Sequence, residues 1–386
     1  MKFAGIIAEY DPFHNGHAAQ IAMARARGAE TVAVCISTGA VQRGGLPVWP
    51  EPVRVRAALE AGADLVAALP APYACAGAEL FAAAGVRLLT ALGCDALVFG
   101  AEDPDAALLM ETARYLRSPA LDRSLRERLS TGMTYAAARA AAAERLRPGL
   151  GEVLRKPNNI LGVEYCKAIL AQNSPLQPCP LPRLGAAHGE SGAGEWQGTP
   201  MASASLLRTL PLPEQRPFVP AAAFEAYCRA ADEGLALDAA KLDAAALALL
   251  RARTDFSHLR GISEGLEHRL AAAVRQAVSL QDLYDRLKTK RYPHARLRRL
   301  VLDAVLDIPP ELPPLPYLHI LGARRAALPL LRRASLPVST SLSDLRGTAE
   351  TDRIVELHSR AVDFSSLCRV QTGVMGLAFT VKPVVL

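Results

Sequence analysis

The first seventeen residues constrain the fold more than any other stretch of this chain. The apolar run 2–8 predicts a buried strand, and a turn containing His14, Gly16 and His17 follows it directly. A helix that starts near Asn15 would present free N–H groups and the positive end of its dipole to an anion. Gly16 allows the backbone to approach a ligand closely. The strand, the H-x-G-H turn and the helix together predict a nucleotide phosphate site.

The two imidazoles suit the α- and β-phosphates of ATP, which favours attack on the α-phosphorus with loss of pyrophosphate. The motif therefore indicates nucleotidyl transfer or carboxylate activation rather than a kinase reaction. We expect ATP as a co-substrate, accompanied by Mg²⁺. The seven cysteines occur singly and without a C-x-x-C pair, so we expect reduced thiols and no metal site.

The first half of the chain alternates short apolar runs with helical segments. The predicted strands are 3–8, 31–37, 65–69 and 96–100, and the helical segments between them are 16–26, 53–61 and 78–92. This alternation predicts an α/β fold with a parallel, doubly wound Rossmann-like sheet. Ligands in such a fold bind beyond the carboxyl ends of the strands, so the loops 9–17, 38–46, 70–76 and 100–105 should border the site.

The chain changes character after the predicted sheet. Residues 105–147 look helical, the Pro-rich stretch 174–182 breaks the pattern, and the Gly- and Ser-rich stretch 188–200 predicts a mobile loop. Beyond about residue 220 the pattern is mainly helical to about residue 335, with a proline-rich break at 309–316. The last stretch, 374–386, looks β-like.

Four prolines between residues 211 and 220 favour a domain boundary there. We therefore predict a catalytic ATP-binding domain at 1–212 and a mainly helical domain at 213–386.

Basic residues are concentrated in the second half of the chain. The net charge is +6, and residues 211–386 hold 24 Lys and Arg against 19 Asp and Glu. This excess fits either a surface for an anionic partner or a solvated basic helix face. No apolar run approaches the roughly 20 residues of a membrane span, and the first strand begins almost at Met1. We expect no membrane contact and a cytoplasmic location.

Two loops carry further candidate ligand-binding residues. Gln42 and Arg43 lie in a glycine-rich loop after the second predicted strand. The planar fork of Arg43 suits a carboxylate or phosphate, although an ordinary surface loop is the alternative. Ser203 and Ser205 lie where a helix begins, with Arg208 one turn further on. They predict a clamp for the β- and γ-phosphates, and a plain serine N-cap is the alternative.

Asn158 and Asn159 mark another helix start. They would either cap that helix or bind adenine or ribose. Arg183 follows a short strand, and it would either reach the nucleotide or remain a surface residue.

The run 288–299 is rich in positive charge and contains one aromatic ring. Its basic side chains with the ring of Tyr292 suit RNA backbone phosphates and one stacked base, and a solvated helix end is the alternative. The candidate contacts are Lys288, Lys290, Arg291, Tyr292 and Arg296.

Seven stretches of this chain resemble the bacterial tRNA(Met) cytidine acetate ligase family, in order and over nearly the whole length. They are GIIAEYDPFHNGH at 5–17, QRG at 42–44, AGADLV at 61–66 with LP at 69–70, PNNILG at 157–162, ASAS at 202–205 with Arg208, SEGLE at 263–267 and TKRY at 289–292. The resemblance implies a Rossmann-like HIGH-type nucleotidyltransferase domain joined to a helical tRNA-binding domain. It also implies activation of acetate as acetyl-adenylate and acetyl transfer to N4 of the wobble cytidine, C34, of elongator tRNA(Met).

The resemblance also implies particular site residues. Catalysis would fall to His14, His17 and Arg208. The ATP site would comprise Ile7, Ala8, Glu9, Tyr10, Phe13, His14, Gly16, His17, Gln20, Gly100, Asn158 or Asn159, and Arg183, with Ser203 and Ser205 added by the clamp. The sequence indicates no general base for the cytosine amine and no obligate protein partner.

Two positions depart from the family pattern. The family usually has Asn where this chain has Asp11, and an Asp-Lys-Trp run where this chain has Pro50, Glu51 and Pro52. Glu51 in place of Lys changes the charge by two units, which we expect beside the anion site. Two other functions stay open. A small-molecule adenylyl- or cytidylyltransferase would use the same H-x-G-H turn and Ser-Arg clamp, and a catalytically impaired tRNA-binding homologue would explain Glu51.

Overall fold

A computed structural model describes residues 1–184, 193–263, 265–290 and 292–386. Its strands are β1 (Phe3–Ala8), β2 (Thr31–Ser37), β3 (Leu65–Leu69), β4 (Ala96–Ala101), β5 (Gln177–Pro182), β6 (Ala193–Trp196), β7 (Thr199–Ala202), β8 (Leu318–Ala323), β9 (Val338–Ser339) and β10 (Val384–Val385). The main sheet has the order β10-β8-β3-β2-β1-β4-β5, with β9 paired to β8.

Helices surround this sheet and form most of the second half of the chain. They are α1 (Asn15–Ala26), α2 (Glu51–Glu60), α3 (Ala71–Ala74), α4 (Ala78–Leu92), α5 (Ala106–Leu116), α6 (Pro119–Ser130), α7 (Tyr135–Leu146), α8 (Leu150–Val153), α9 (Pro157–Gln172), α10 (Ala204–Leu207), α11 (Ala221–Asp232), α12 (Ala239–Arg251), α13 (Leu266–Gln276), α14 (Leu280–Leu287), α15 (His294–Leu306), α16 (Ala349–Leu367) and α17 (Leu377–Thr380). Three 3₁₀ segments lie at Leu212–Phe218, Arg325–Arg333 and Ser343–Leu345. Among the described helices, none combines the length and apolar character needed to cross a membrane.

The parallel part of the sheet confirms the predicted α/β class. β1 pairs in parallel with β2 and β4, and the ladder continues to β3 on one side and β5 on the other. Parallel strands covered on both faces are nearly continuous apolar runs. That is why the sequence pattern located β1 to β4 so closely.

The Pro-rich stretch 174–182, interpreted from the sequence as a break in the pattern, contains a strand. β5 pairs with β4 along its whole length and ends the sheet on that side. Proline is tolerated there because an edge strand leaves one row of N–H groups without a ladder partner.

The chain beyond residue 213 also adds strands to the sheet. β8 runs antiparallel to β3, and β10 pairs in parallel with β8. The expectation of a mainly helical segment up to residue 335 therefore missed β8. Both sides of the predicted domain boundary at 212/213 contribute strands to one sheet. The boundary itself stays a prediction.

Two other loop and strand predictions were wrong. The second part of the stretch 188–200, expected to be a mobile loop, contains β6 and the start of β7, which form an antiparallel hairpin. Residues 185–192 lie outside the described part of the chain. The stretch 374–386, expected to be β-like, contains the short helix α17 and only two strand residues, those of β10.

Alternate residues of β1 face the two sides of the sheet. Ile7 points toward α4 and α9, whereas Ala4 and Ile6 pack with the side that carries α1, α2 and α11. Gly85 lets α4 lie directly on β1, since a Cβ at that position would come within 2.5 Å of the Ile7 side chain. This packing leaves the carboxyl end of β1 open between the two layers.

A buried ion pair joins the helices of the second half to the loops of the sheet. The Arg260 guanidinium donates from Nε to Asp303 Oδ2 at 2.9 Å and from NH2 to Oδ1 at 2.6 Å. Arg260 also donates to the carbonyl of Pro72 in α3. Burial raises the pKa of Asp303 to about 6, although Arg260 opposes that shift. Arg260 therefore helps to keep the buried Asp303 carboxyl group ionised.

We expect Arg260→Ala to lower the free energy of unfolding by about 3–5 kcal/mol, because it leaves the Asp303 carboxylate buried without its partner. Urea denaturation monitored by circular dichroism measures this loss. Adding Asp303→Asn to the same chain should recover part of it, since the unpaired charge is then removed. A loss below about 1 kcal/mol in the single variant would contradict the assigned role.

Candidate active site

A cavity of about 680 Å³ opens at the carboxyl ends of β1, β4 and β5. This is the position predicted for a ligand site in a parallel sheet. Most of the residues singled out from the sequence line it: Ile7, Ala8, Glu9, Tyr10, His14, Gly16, His17, Gln20, Gln42, Arg43, Gly100, Asn158, Arg183, Ser203, Ser205 and Arg208.

His14 and His17 cap the first turn of α1 with their own rings. Nδ1 of His14 accepts from the N–H of Gly16 at 3.1 Å, and Nδ1 of His17 accepts from the N–H of His14 at 3.3 Å. The rings stack with their centroids 3.7 Å apart. A neutral imidazole whose Nδ1 accepts must carry its proton on Nε2. Each ring is therefore a hydrogen-bond donor at Nε2.

The protein favours the neutral form of both rings. Burial lowers the pKa of His14 to about 3, and the positive charges of Arg183 and Arg208 add to this shift. Burial also lowers the pKa of His17 well below its usual value, with a further contribution from His14. In the protein without a ligand, both rings are therefore neutral donors at physiological pH.

Phe13 was predicted to bind the nucleotide, but it does not line the cavity. Its ring is fully buried and lies 5.6 Å from the ring of His17. The Tyr227 hydroxyl accepts from the N–H of Phe13 at 2.8 Å and donates to its carbonyl at 3.1 Å. Phe13 supports the histidine turn from behind, and Tyr227 is a supporting residue that sequence reasoning missed.

The start of α9 forms another wall of the cavity. Asn158 lines it and donates from Nδ2 to Glu102 Oε1 at 2.6 Å. Asn159, the alternative candidate, is fully buried instead and donates to Asp103 Oδ2 at 2.7 Å. Asn159 therefore holds the loop after β4 and does not face a ligand.

Glu102 was missed by sequence reasoning. Its carboxylate accepts from the backbone N–H groups of Asn158 and Asn159, at 3.2 and 2.9 Å, and so caps α9. Arg183 lies 3.9 Å from the same carboxylate. Glu102 could have been found from the sequence, because it is an acidic residue in the loop 100–105, and that loop was predicted to border the site.

Ser203, Ser205 and Arg208 meet at the cavity, but the helix they start is short. Ser203 Oγ accepts from the N–H of Leu206 at 3.2 Å. This hydroxyl therefore caps the helix, as the N-cap alternative predicted. Ser205 Oγ accepts from Arg208 at 3.3 Å. α10 has only four residues, so its dipole contributes little to binding. The phosphate clamp stays a prediction, and it depends on the Arg208 guanidinium and the Ser205 hydroxyl.

Asp11 positions Arg208. Its Oδ2 lies 3.6 Å from NH1 of Arg208, and the Asp11 carbonyl accepts from NH1 at 2.5 Å. The other carboxylate oxygen accepts from the N–H of Val48 at 2.7 Å. Asp11, one of the two departures from the family pattern, therefore holds Arg208 against the histidine turn.

Glu51, the second departure, does not line this cavity. Its Oε1 accepts from the N–H of Gly39 at 2.7 Å, and it lines a second cavity of about 230 Å³ with His319 and His358. Burial alone would raise the pKa of Glu51, but Arg54 and His358 outweigh burial and lower it. The expectation that its charge lies beside the anion site was wrong, because α2 directs it to the second cavity.

The loop 42–44 connects the cavity to the basic helix α15. Gln42 and Arg43 line the cavity, and the N–H of Gln42 donates to Glu9 Oε1 at 2.6 Å. Gly44 lies against the backbone of α15, where an added Cβ would come within 2.3 Å of the nitrogen of Arg299. Arg299 also donates to the carbonyl of Gln42 at 3.4 Å. One short loop therefore borders both the cavity and the basic segment.

The basic segment, residues 288–299, differs from the prediction at its aromatic ring. Tyr292, expected to stack on a base, is buried, and the Arg296 guanidinium lies 4.7 Å over its ring. Lys288 donates to the carbonyl of Tyr292 at 2.8 Å, and both Lys288 and Lys290 are exposed. None of these four residues lines the cavity. Arg291 lies outside the described residues.

Among the described residues, no group of three His, Cys, Asp or Glu side chains is placed to hold a metal ion. The expectation that the protein itself holds no metal stays a prediction.

Comparison with known proteins identifies relatives over nearly the full chain. A family model described as HIGH Nucleotidyl Transferase matches residues 1–373. A tRNA(Met) cytidine acetate ligase of Syntrophotalea carbinolica is 34% identical over 363 residues, which cover 89% of this chain and 85% of the relative. The enzyme of the same name from Levilactobacillus brevis is 35% identical over 355 residues, which cover 87% and 89% of the two chains.

Two solved structures are similar to this chain over its whole length. The crystal structure of Thermotoga maritima TmcAL bound with alpha-thio ATP is similar to this chain with a TM-score of 0.89 and 28% identity, and the similarity covers 100% of both chains. The apo form of the same protein gives a TM-score of 0.91 at 29% identity, again over 100% of both chains.

We expect Gly44→Ala to lower the free energy of unfolding by about 1–3 kcal/mol, because its φ of +80° and the backbone of α15 both oppose a Cβ. Chemical denaturation measures the effect. Gly45→Ala is the matched control, since its nearest neighbour atom would lie 3.9 Å away. Equal losses in the two variants would show that the contact with α15 is not tight.

Proposed function

Because this chain belongs to the HIGH nucleotidyl transferase family and to the family of tRNA(Met) cytidine acetate ligases, we propose that it acetylates N4 of the wobble cytidine, C34, in elongator tRNA(Met). ATP activates acetate as acetyl-adenylate, and the acetyl group then passes to the tRNA. The observation that carries the proposal is the loop 42–44, which borders the cavity on one side and touches the basic helix α15 on the other. The loop puts a basic helix beside the cavity, which suits a reaction with both a nucleotide and an RNA substrate.

ATP lies along the cavity with its adenine near Gly100, Asn158 and Arg183. The backbone of Ile7 and Ala8 borders the nucleotide, because these residues end β1 at the cavity wall. The triphosphate extends past His14 and His17 toward Ser205 and Arg208. The similarity to a structure bound with alpha-thio ATP supports this use of the cavity.

The first step joins acetate to the α-phosphorus. An acetate oxygen attacks in line, the bond from the α-phosphorus to its bridging oxygen breaks, and pyrophosphate leaves. The two neutral imidazoles donate from Nε2 to phosphoryl oxygens as negative charge builds there, and the Arg208 guanidinium supplies a fixed positive charge. Positioning and electrostatic stabilisation account for most of the acceleration in such a step.

Mg²⁺ bound with ATP would shield the negative charge of the pyrophosphate. The residues of the cavity fit an ion held mainly by phosphate oxygens, because the Asp11 carboxylate is already engaged by Val48 and Arg208. Magnesium usually keeps several waters and binds substrate phosphates.

The basic segment at the start of α15 holds the tRNA. Lys288, Lys290 and Arg298 are exposed there, and Gly44 ties this helix to the cavity. Exposed cations bind the RNA backbone through its phosphates. The unpaired anticodon base can then enter the cavity without the opening of a duplex.

A tRNA substrate favours a cytoplasmic location for the activity.

Incubation with labelled acetate, ATP and elongator tRNA(Met) tests the function directly, with N4-acetylcytidine detected by mass spectrometry after nuclease digestion. Acetate-dependent exchange between ATP and pyrophosphate tests the first step separately. Nucleotide transfer to a phosphorylated metabolite would identify a small-molecule transferase instead. Binding of tRNA without any turnover of ATP would identify an impaired homologue.

We expect His17→Ala to reduce acetate-dependent exchange by about 10²- to 10³-fold, because it removes one donor from the developing charge. Circular dichroism should show an intact fold. His268→Ala is the matched control, since that imidazole is almost fully exposed. Exchange at the wild-type rate in His17→Ala would contradict the role given to the motif.

We expect Lys290→Ala to weaken tRNA binding and to reduce the slope of log affinity against log salt by about one, as for the loss of one phosphate contact. Filter binding over a series of salt concentrations measures both. Exchange without tRNA should be unchanged. Arg126→Ala removes an exposed cation from α6 and serves as the control. Equal effects in both variants would indicate general charge attraction without a defined surface.

A further inference from the structure

Glu9 presents a carboxylate to the cavity at the end of β1. Its backbone carbonyl accepts from the buried Arg54 at 2.7 Å, which holds this end of the strand in place. Its Oε1 accepts from the N–H of Gln42 at 2.6 Å, so the side chain is fixed as well. Within the described residues, Oε2 of Glu9 has no hydrogen-bond or ion-pair partner. Glu9 lines the cavity, and one of its two carboxylate oxygens is not engaged by the described residues.

The neighbouring carboxylates are already engaged. Asp11 accepts from Val48 and is paired with Arg208. Glu102 caps the start of α9. Glu9 also accepts from the loop 42–44, the segment that touches the basic helix α15. The Glu9 carboxylate therefore lies where the cavity borders this loop.

We propose that Glu9 is the general base of acetyl transfer, which takes a proton from the exocyclic amine of the cytosine. This inference rests on the proposed function. The amine nitrogen attacks the carbonyl carbon of acetyl-adenylate, and a new C–N bond forms. One amine proton passes to Oε2 of Glu9. The bond from the acetyl carbon to the phosphate oxygen then breaks, its electron pair stays on the phosphate, and AMP leaves. Solvent later takes the proton from Glu9.

The surroundings of Glu9 suit this task. Burial raises its pKa, and the nearby Asp11 raises it further, while the N–H of Gln42 and the charges of Arg43 and Arg208 act in the opposite direction. Arg54 and Tyr165 also face it from α2 and α9. A carboxylate with a raised pKa is a stronger base than one in water.

The ionised carboxylate is the active form, so the transfer rate should fall as the pH falls through the pKa of Glu9. That pKa lies above the usual value of a glutamate. Activation of acetate requires no such base, because acetate attacks as an anion. The two half-reactions therefore separate the role of Glu9 in transfer from a role in nucleotide binding.

The test compares wild type with Glu9→Gln in both half-reactions. Acetate-dependent exchange between ATP and pyrophosphate reports activation. Single-turnover transfer from enzyme-bound acetyl-adenylate to tRNA, followed between pH 5 and 8, reports the second step. We expect transfer to fall by about 10²- to 10⁴-fold in Glu9→Gln, and to fall much further than exchange does. The acidic limb of the transfer profile should disappear. Glu60→Gln, an exposed carboxylate at the end of α2, is the matched control.

Equal loss of exchange and transfer in Glu9→Gln would overturn this role and leave the proposed function standing. An acidic limb that persists in the variant, or transfer at the wild-type rate, would overturn it too. Absence of acetate-dependent exchange in the wild-type protein would instead remove the proposed function, and this inference with it.

Discussion

At the start of α1, two histidine rings take the place of the serine and glutamate side chains that commonly cap a helix. Each ring accepts a backbone N–H at Nδ1, from Gly16 or from His14. These bonds fix the turn, the tautomer and the stacking of the rings together. Phe13 supports the turn from below and is itself held by Tyr227. The donors of the cavity are therefore set before any ligand arrives.

Local patterns predicted the elements that depend on local sequence. β1 to β4 are buried, parallel and apolar, so their bounds followed from the residue types. β8 was harder to find, because its place in the sheet depends on pairing with β3, more than 200 residues away. β10 depends in turn on β8, with which it pairs. The proline-rich β5 was hidden for a different reason, since only its edge position makes its composition acceptable.

Within the site, residue type predicted location better than it predicted contacts. Asn158 and Asn159 are adjacent and chemically identical, yet one faces the cavity and the other is buried against Asp103. Tyr292 suits base stacking by type, but tertiary packing buries its ring beneath Arg296. Glu102 belongs to no motif, and its role follows only from where α9 begins. Such details depend on distant packing that a linear pattern does not contain.

The segment between β2 and α2 is fastened at several points along its length. The N–H of Gly39 donates to Glu51, that of Gln42 to Glu9 and that of Val48 to Asp11. A stretch pinned at intervals of a few residues cannot swing as a lid. It is a fixed wall, and the RNA must fit its outline as it stands. Under the proposed function, this wall limits how deep a base can enter the cavity.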